Sequence, residues 1–254
     1  MTTSRLISSL VIMALGSIAS AQEMGFEEYD PQSTLVVPEN PVTSAKFPFV
    51  DAHNHQWRQR MTPENVDQVV KDMDALNMAV MVNLSGGSGD ELKEVIAKSK
   101  ARYPDRFAIF ANPSYEGIDD PGYPERTAAQ FEVDVKAGAQ GLKIFKNLGM
   151  YVFDPLGRVR VDDPRLDPLW AKAGELGVPV LIHVGDPAQF WLPHDKFNER
   201  WLELKERPRR TRDGDPSFDQ LIKEQVNVYR KHPNTTFIIA HFMWMANDLD
   251  RLAG

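Results

Sequence analysis

From Phe47 onward, short apolar runs alternate with longer stretches of helical periodicity. The runs at 47–53, 78–84, 107–111, 140–145, 178–184 and 236–241 read as strands. Between them, apolar positions recur at helical spacing over 62–77, 90–103, 124–137, 163–177 and 215–232. Local signals support these bounds. Thr62-Pro63, Asp163-Pro164 and Asp215-Pro216 pair a capping side chain with a first-turn proline, and Gly138 and Gly177 stand where helices stop. Asn247 starts a further helix. The pattern predicts no hairpins.

Near-continuous apolar strands separated by helices indicate a parallel sheet covered on both faces. A doubly wound sheet and a closed barrel both satisfy this. The first strand is not followed by G-x-G-x-x-G, which weakens the dinucleotide-binding version. The expected fold class is α/β, a TIM-type (β/α)8 barrel cut short after its sixth strand. A complete barrel takes about 250 residues, and here six units are visible after the N-terminal segments.

Composition narrows the function. The chain has 254 residues, 42% hydrophobic and 26% charged, with a net charge of −7. An acidic balance argues against a nucleic-acid partner. Cysteine is absent, so thiolate metal sites are excluded and a metal would be held by His, carboxylate, carbamate or water. At the N-terminus, Arg5 precedes an apolar run over 6–18 and then Ala19-Ser20-Ala21. This reads as a signal peptide over 1–21, cleaved before Gln22, with an uncleaved anchor as the alternative. The run is shorter than the ~20 residues of a spanning helix. Residues 22–45, rich in Pro, Glu, Ser and Thr, form a linker or arm, and 46–254 form the barrel domain. An exported, periplasmic or secreted protein is expected, with a small-molecule substrate and no stable membrane insertion. A homo-oligomer is compatible with these features.

Histidines carry the chemical signal. Of six, His53 and His55 sit at the carboxyl end of the first strand, His183 ends the fifth and His241 the sixth. Catalytic groups of parallel barrels gather at that end. Strict alternation puts Phe49, Asp51, His53 and His55 on one face, and Phe237, Ile239 and His241 on one face of the sixth strand. Both imidazoles of H-x-H can then reach one ion. On strand four, Gly141, Lys143 and Phe145 share the inward face, and Leu142 and Ile144 would pack on the helices. A buried lysine is costly unless paired or modified.

The pieces F-V-D-A-H-N-H (49–55), G-L-K-I-F (141–145), V-L-I-H-V-G-D-P (180–187) and F-I-I-A-H-F (237–242) resemble the amidohydrolase superfamily. The resemblance lies with the branch that includes aminocarboxymuconate semialdehyde decarboxylase, and extends from about Phe47 to the end. It implies that His53, His55 and His183 bind a divalent ion, usually zinc. His241 would be a second-metal ligand or, in mononuclear members, a catalytic histidine beside the bound water. Lys143 would be a carbamate ligand or a binder of a substrate carboxylate. The family's strand-eight Asp, a ligand and proton acceptor, would lie beyond Gly254. The implied activity is hydrolysis of an ester, lactone or amide by metal-activated water. Non-oxidative decarboxylation is the alternative, and a non-catalytic periplasmic binding protein a second one.

Weaker candidates surround this set. His194, in the long stretch 186–213, is a candidate substrate contact from a lid. Asp186 either orients a ligand or substrate or starts a turn with Pro187. Phe190 and Trp191 either line a pocket or anchor the loop. Asp51 supports the histidines or caps the strand end, Lys146 is a rim residue, and His232 caps a helix. The basic run 205–212 reads as a solvated face. Processing at Ala21 predicts a mature protein whose first residue is Gln22. N-terminal sequencing of protein from the exported fraction checks this, and an intact Met1 terminus would refute it.

Overall fold

The computed structural model describes residues 24–214 and 216–253. The signal segment and Asp215 lie outside the described residues. The chain divides into two units, ending at Pro41 and starting at Val42. In the first, the described residues hold one 3-10 turn, Phe26–Glu28, and are otherwise irregular. No helix among the described residues is long and apolar enough to cross a membrane.

The second unit is built of β/α repeats. Strands β1 (Phe49–Asn54), β2 (Met78–Asn83), β3 (Phe107–Ala111), β4 (Gly141–Ile144), β7 (Val180–Ile182) and β8 (Phe237–Ile239) form one sheet in that order, every pair parallel. Helices α1 (Pro63–Leu76), α2 (Gly89–Lys100), α3 (Tyr123–Lys136), α4 (Asp167–Glu175) and α6 (Phe218–Lys231) connect successive strands, and α7 (Leu249–Ala253) follows the last. These are six of the eight strands of a TIM-type barrel, curled as a partial barrel.

Local chemistry sets the bounds. The Thr62 hydroxyl accepts from Asn65 N at the start of α1, and Asn77 closes it in the left-handed region at φ 62°. Helix α6 opens at Ser217, whose side chain accepts from Gln220 N, two residues after the Asp215 cap that the sequence suggests.

Two features go beyond the pattern. An antiparallel hairpin, β5 (Phe153–Asp154) with β6 (Gly157–Arg158), interrupts the run before α4, contrary to the expectation of none. Two-residue strands are too short to leave an alternating signature. The stretch after β7 holds helix α5 (Trp201–Glu206) and two 3-10 turns, Ala188–Trp191 and Pro208–Arg210. Phe190 is buried and its carbonyl accepts from Arg212 N, while Trp191 Nε1 donates to the Pro216 carbonyl. Both aromatics thus anchor the loop, and Phe190 also borders a cavity beside His183.

Two apolar layers flank the sheet. On the helix side, Met81, Ile109, Leu142, Ile144, Val180 and Ile182 belong to the main core with residues of α1 to α4. On the barrel's inner side, Leu84, Phe110, Leu181 and Ala240 cluster, with Val82 against them. Gly141 makes room for that inner layer, because a Cβ there would lie 2.5 Å from the Phe110 ring. Leu142 and Ile144 therefore face the helices as the sequence predicts, and Lys143 faces inward, its residue fully buried.

Candidate metal centre

Strict alternation does not deliver the histidines to the barrel interior; two backbone irregularities do. In β1 the register runs Asp51↔Met81 and then Asn54↔Asn83, so three steps on β1 match two on β2. This bulge reverses the inward parity. Asp51 pairs with Met81, which faces the helices, while the His53 ring lies inside the barrel against His183 and His241. Asp51 and His53 therefore do not share a face, in correction of the expected alternation. The Asp51 carboxylate stabilises the bulge by accepting from His53 N at 3.0 Å and from Asn54 Nδ2 at 2.8 Å.

The end of β8 shows a second departure. Phe237 packs outward on Trp170 and Tyr229, and Ala240 joins the inner cluster. A continued strand would aim His241 at the helices. Instead, His241 (φ 54°), Phe242 (φ 50°), Met243 (φ 53°) and Trp244 (φ 60°) form a left-handed turn, and His241 swings inward. Each such residue costs roughly 1–2 kcal/mol. Burial of Met243 with Ile222 and Met245, and stacking of Trp244 on His241 at 4.4 Å, offset part of that cost.

The result is a compact donor set. His53, His183 and His241 each offer a ring nitrogen, and these atoms all lie within 4.8 Å of one another. His183 Nε2 is buried without a hydrogen-bond partner, which a native structure rarely tolerates without a ligand. Burial, then the nearby Lys143, lowers His53 to about 4 and His183 to about 3. The same two causes lower His55 and His241. All four rings are thereby biased to the neutral form that ligates metal at pH 7. The chemistry of these donors fits a divalent ion.

His55 is placed differently. Its Nδ1 hydrogen-bonds with Ser85 Oγ at 2.9 Å, and its ring stacks near Trp57 (5.7 Å) and Phe145 (5.5 Å). It stands beside His53, ring centres 5.5 Å apart, but is not in the group of three. Lys143 Nζ is buried with no hydrogen-bond partner, 5.3 Å from the Phe145 ring, and burial lowers it to about 7. Asp186 is buried, its carboxylate taken by Lys146 and Arg212 at 2.6 Å each. Burial raises its pKa, but those hydrogen bonds outweigh burial and hold it below the usual carboxylate range. His194 Nε2 is tied to the Trp201 carbonyl at 2.8 Å, an exposed position in the loop. Trp244 and Ser85 escaped the sequence reading. Ser85 had a signal, since it stands at the carboxyl end of a strand; Trp244 had none, because the left-handed turn was not foreseen.

Residues 50–253 match the amidohydrolase family. The chain belongs to that family. Among solved structures, the fold resembles 2,6-dihydroxybenzoate decarboxylase from Rhizobium, with TM-score 0.53, 18% identity, and 80% of this chain and 69% of that one covered. It also resembles 4-oxalomesaconate hydratase from Rhodopseudomonas palustris, with TM-score 0.51, 15% identity, and 80% and 66% covered. Against 2,6-dihydroxybenzoate decarboxylase complexed with 2,6-dihydroxybenzoate, the score is 0.49 at 19% identity, with 73% and 58% covered. The amidohydrolase chain thus spans between 58% and 69% of the lengths of these enzymes. No curated protein sequence matches it significantly.

For this amidohydrolase, His53→Ala is expected to weaken binding of a divalent ion, with zinc as the probe, by about 100-fold or more, beyond the loss typical of outer-shell changes. His232→Ala is expected to leave it unchanged, because His232 pairs with Asp167 at 3.0 Å and lies outside the donor set. Competition titration against a chelating dye reads both, and equal affinities for the two variants would remove His53 from the centre.

Proposed function

We propose that this amidohydrolase is a zinc-dependent hydrolase acting on an ester, lactone or amide of a small organic substrate, exported by its N-terminal segment. The observation that carries it is the convergence of the His53, His183 and His241 ring nitrogens within 4.8 Å, one of them buried and unpartnered. A donor set of imidazoles without thiolate suits zinc. When bound, the ion polarises a carbonyl and can bring the pKa of water from 15.7 to about 7.

The chain's own residues supply the rest. His183 and His53 anchor the centre from strand ends, and His241, its exposed member, faces arriving substrate. Trp57, 48% exposed, and Phe145 lie nearly parallel, 6.3 Å apart, and give a flat wall beside His55. Lys143 presents a buried amine with a pKa of about 7, able to donate to a developing oxyanion without a full charge being buried at rest.

A second reading is non-oxidative decarboxylation. Lys143, buried and without an anionic partner, offers a counter-charge for a substrate carboxylate. The Rhizobium protein that shares the fold is itself a decarboxylase.

Zinc analysis and two assays on the zinc-supplemented protein separate these. Hydrolysis within an ester, lactone and amide panel, lost to a chelator and restored by zinc, is the expected result. One equivalent of zinc fits the three-histidine centre, and two would implicate Lys143 as a carbamate. Carbon dioxide released from aromatic or unsaturated acids, with no hydrolysis, would favour the second reading. A protein that takes up no zinc and turns over neither class would refute both and favour a binding protein.

A further inference from the structure

Beside His183 and Trp244 lies a cavity of about 190 Å³, bounded also by Lys146, Asp186, Arg200 and Arg210. It is too small for a whole drug-sized ligand and fits one functional group on a short stem. Its charge is lopsided. Three cations, Lys146, Arg200 and Arg210, and two carboxylates, Asp186 and Glu203, line it, and Arg212 pairs with Asp186 from behind.

The pairing leaves donors over. Asp186, buried, takes one hydrogen bond from Lys146 and one from Arg212. Glu203 takes one from Arg200 at 3.2 Å and one from Arg210. An ammonium has three N–H groups and a guanidinium five, so each cation keeps donors that these carboxylates do not use. Lys146 is 44% exposed, with its ammonium turned to the cavity's rim by Asp186. Arg212 Nε and Trp244 Nε1 are buried without any acceptor. Trp244 borders the cavity, and its Nε1 can only donate, so an oxygen acceptor in the cavity would satisfy it. Local excess of positive charge around a small cleft concentrates anions even on an acidic protein.

We infer that this cavity is a carboxylate-binding subsite of the same centre, with Lys146 as the principal contact, supported by Arg200 and Arg210. Asp186 is the positioning residue that holds Lys146 and Arg212 in place. The substrate class is thereby narrowed to small organic acids that carry their reacting group toward His183, an assignment that rests on the histidine cluster being the catalytic centre.

Benzoate and its neutral isostere benzamide are suitable probes, titrated calorimetrically into the full chain with and without zinc, with zinc content measured on the same samples. Benzoate is expected to bind at least about tenfold more tightly than benzamide in both forms, and to weaken as salt is raised. Lys146→Met should cut benzoate affinity about tenfold while leaving benzamide binding and zinc content unchanged. Lys146→Arg should restore most of the loss, which a merely structural role would not. Arg200→Gln should lower benzoate affinity in the same direction. Absence of benzoate binding, equal binding of the two probes, or wild-type benzoate affinity in Lys146→Met would overturn the subsite. A benzoate preference persisting in a chain that takes up no zinc would uphold the subsite and overturn the catalytic assignment.

Discussion

Three imidazoles can share one cation only if strands far apart in the sequence aim them at the same point, and regular strand alternation in this chain would not do so. The bulge between Asp51 and Asn54 turns His53 inward. The left-handed turn from His241 to Trp244 does the same for His241. Only His183, directly after the regular strand β7, reaches the interior by simple alternation with Leu181. The centre is thus built from one regular strand end and two local distortions, and distortions of this kind persist only where surrounding packing over-determines them. Here the inner cluster of Leu84, Phe110, Leu181 and Ala240 provides the floor, and Gly141 leaves the space that the Phe110 ring occupies.

Electrostatics follow from the same burial. Lys143 projects into an interior that offers it no anion, so its charge is disfavoured and it disfavours protonation of every histidine near it. A set of neutral rings around a weakly held proton on Lys143 is suited to ligation and to proton exchange. Farther out, Asp186 pairs with both Lys146 and Arg212 and neutralises part of their charge.

Much of the fold was legible because β/α repeats write themselves twice, as apolar runs and as capping residues. All six sheet strands were visible as runs such as M-A-V-M-V-N and F-A-I-F-A, each within a few residues of its end. The hairpin at Phe153–Arg158 and helix α5 were not, being too short and too polar to show a period. The site was legible as a list of strand-end histidines, and less so as geometry. A bulge changes parity without any change in composition, so Asp51 and His53 look alike on paper and face opposite ways in the sheet. The H-x-H pattern suggests two equivalent rings, and the sequence gives no sign that Ser85 hydrogen-bonds the Nδ1 of His55. The left-handed turn occupies H-F-M-W, residues with no glycine to announce it.

The most direct test of this account counts imidazoles on the metal. X-ray absorption of the zinc-loaded chain should show at least three imidazole nitrogens at about 2.0–2.1 Å, the number falling by one in His53→Ala and in His183→Ala and unchanged in His194→Ala. An imidazole count that does not fall in His53→Ala or in His183→Ala would contradict it.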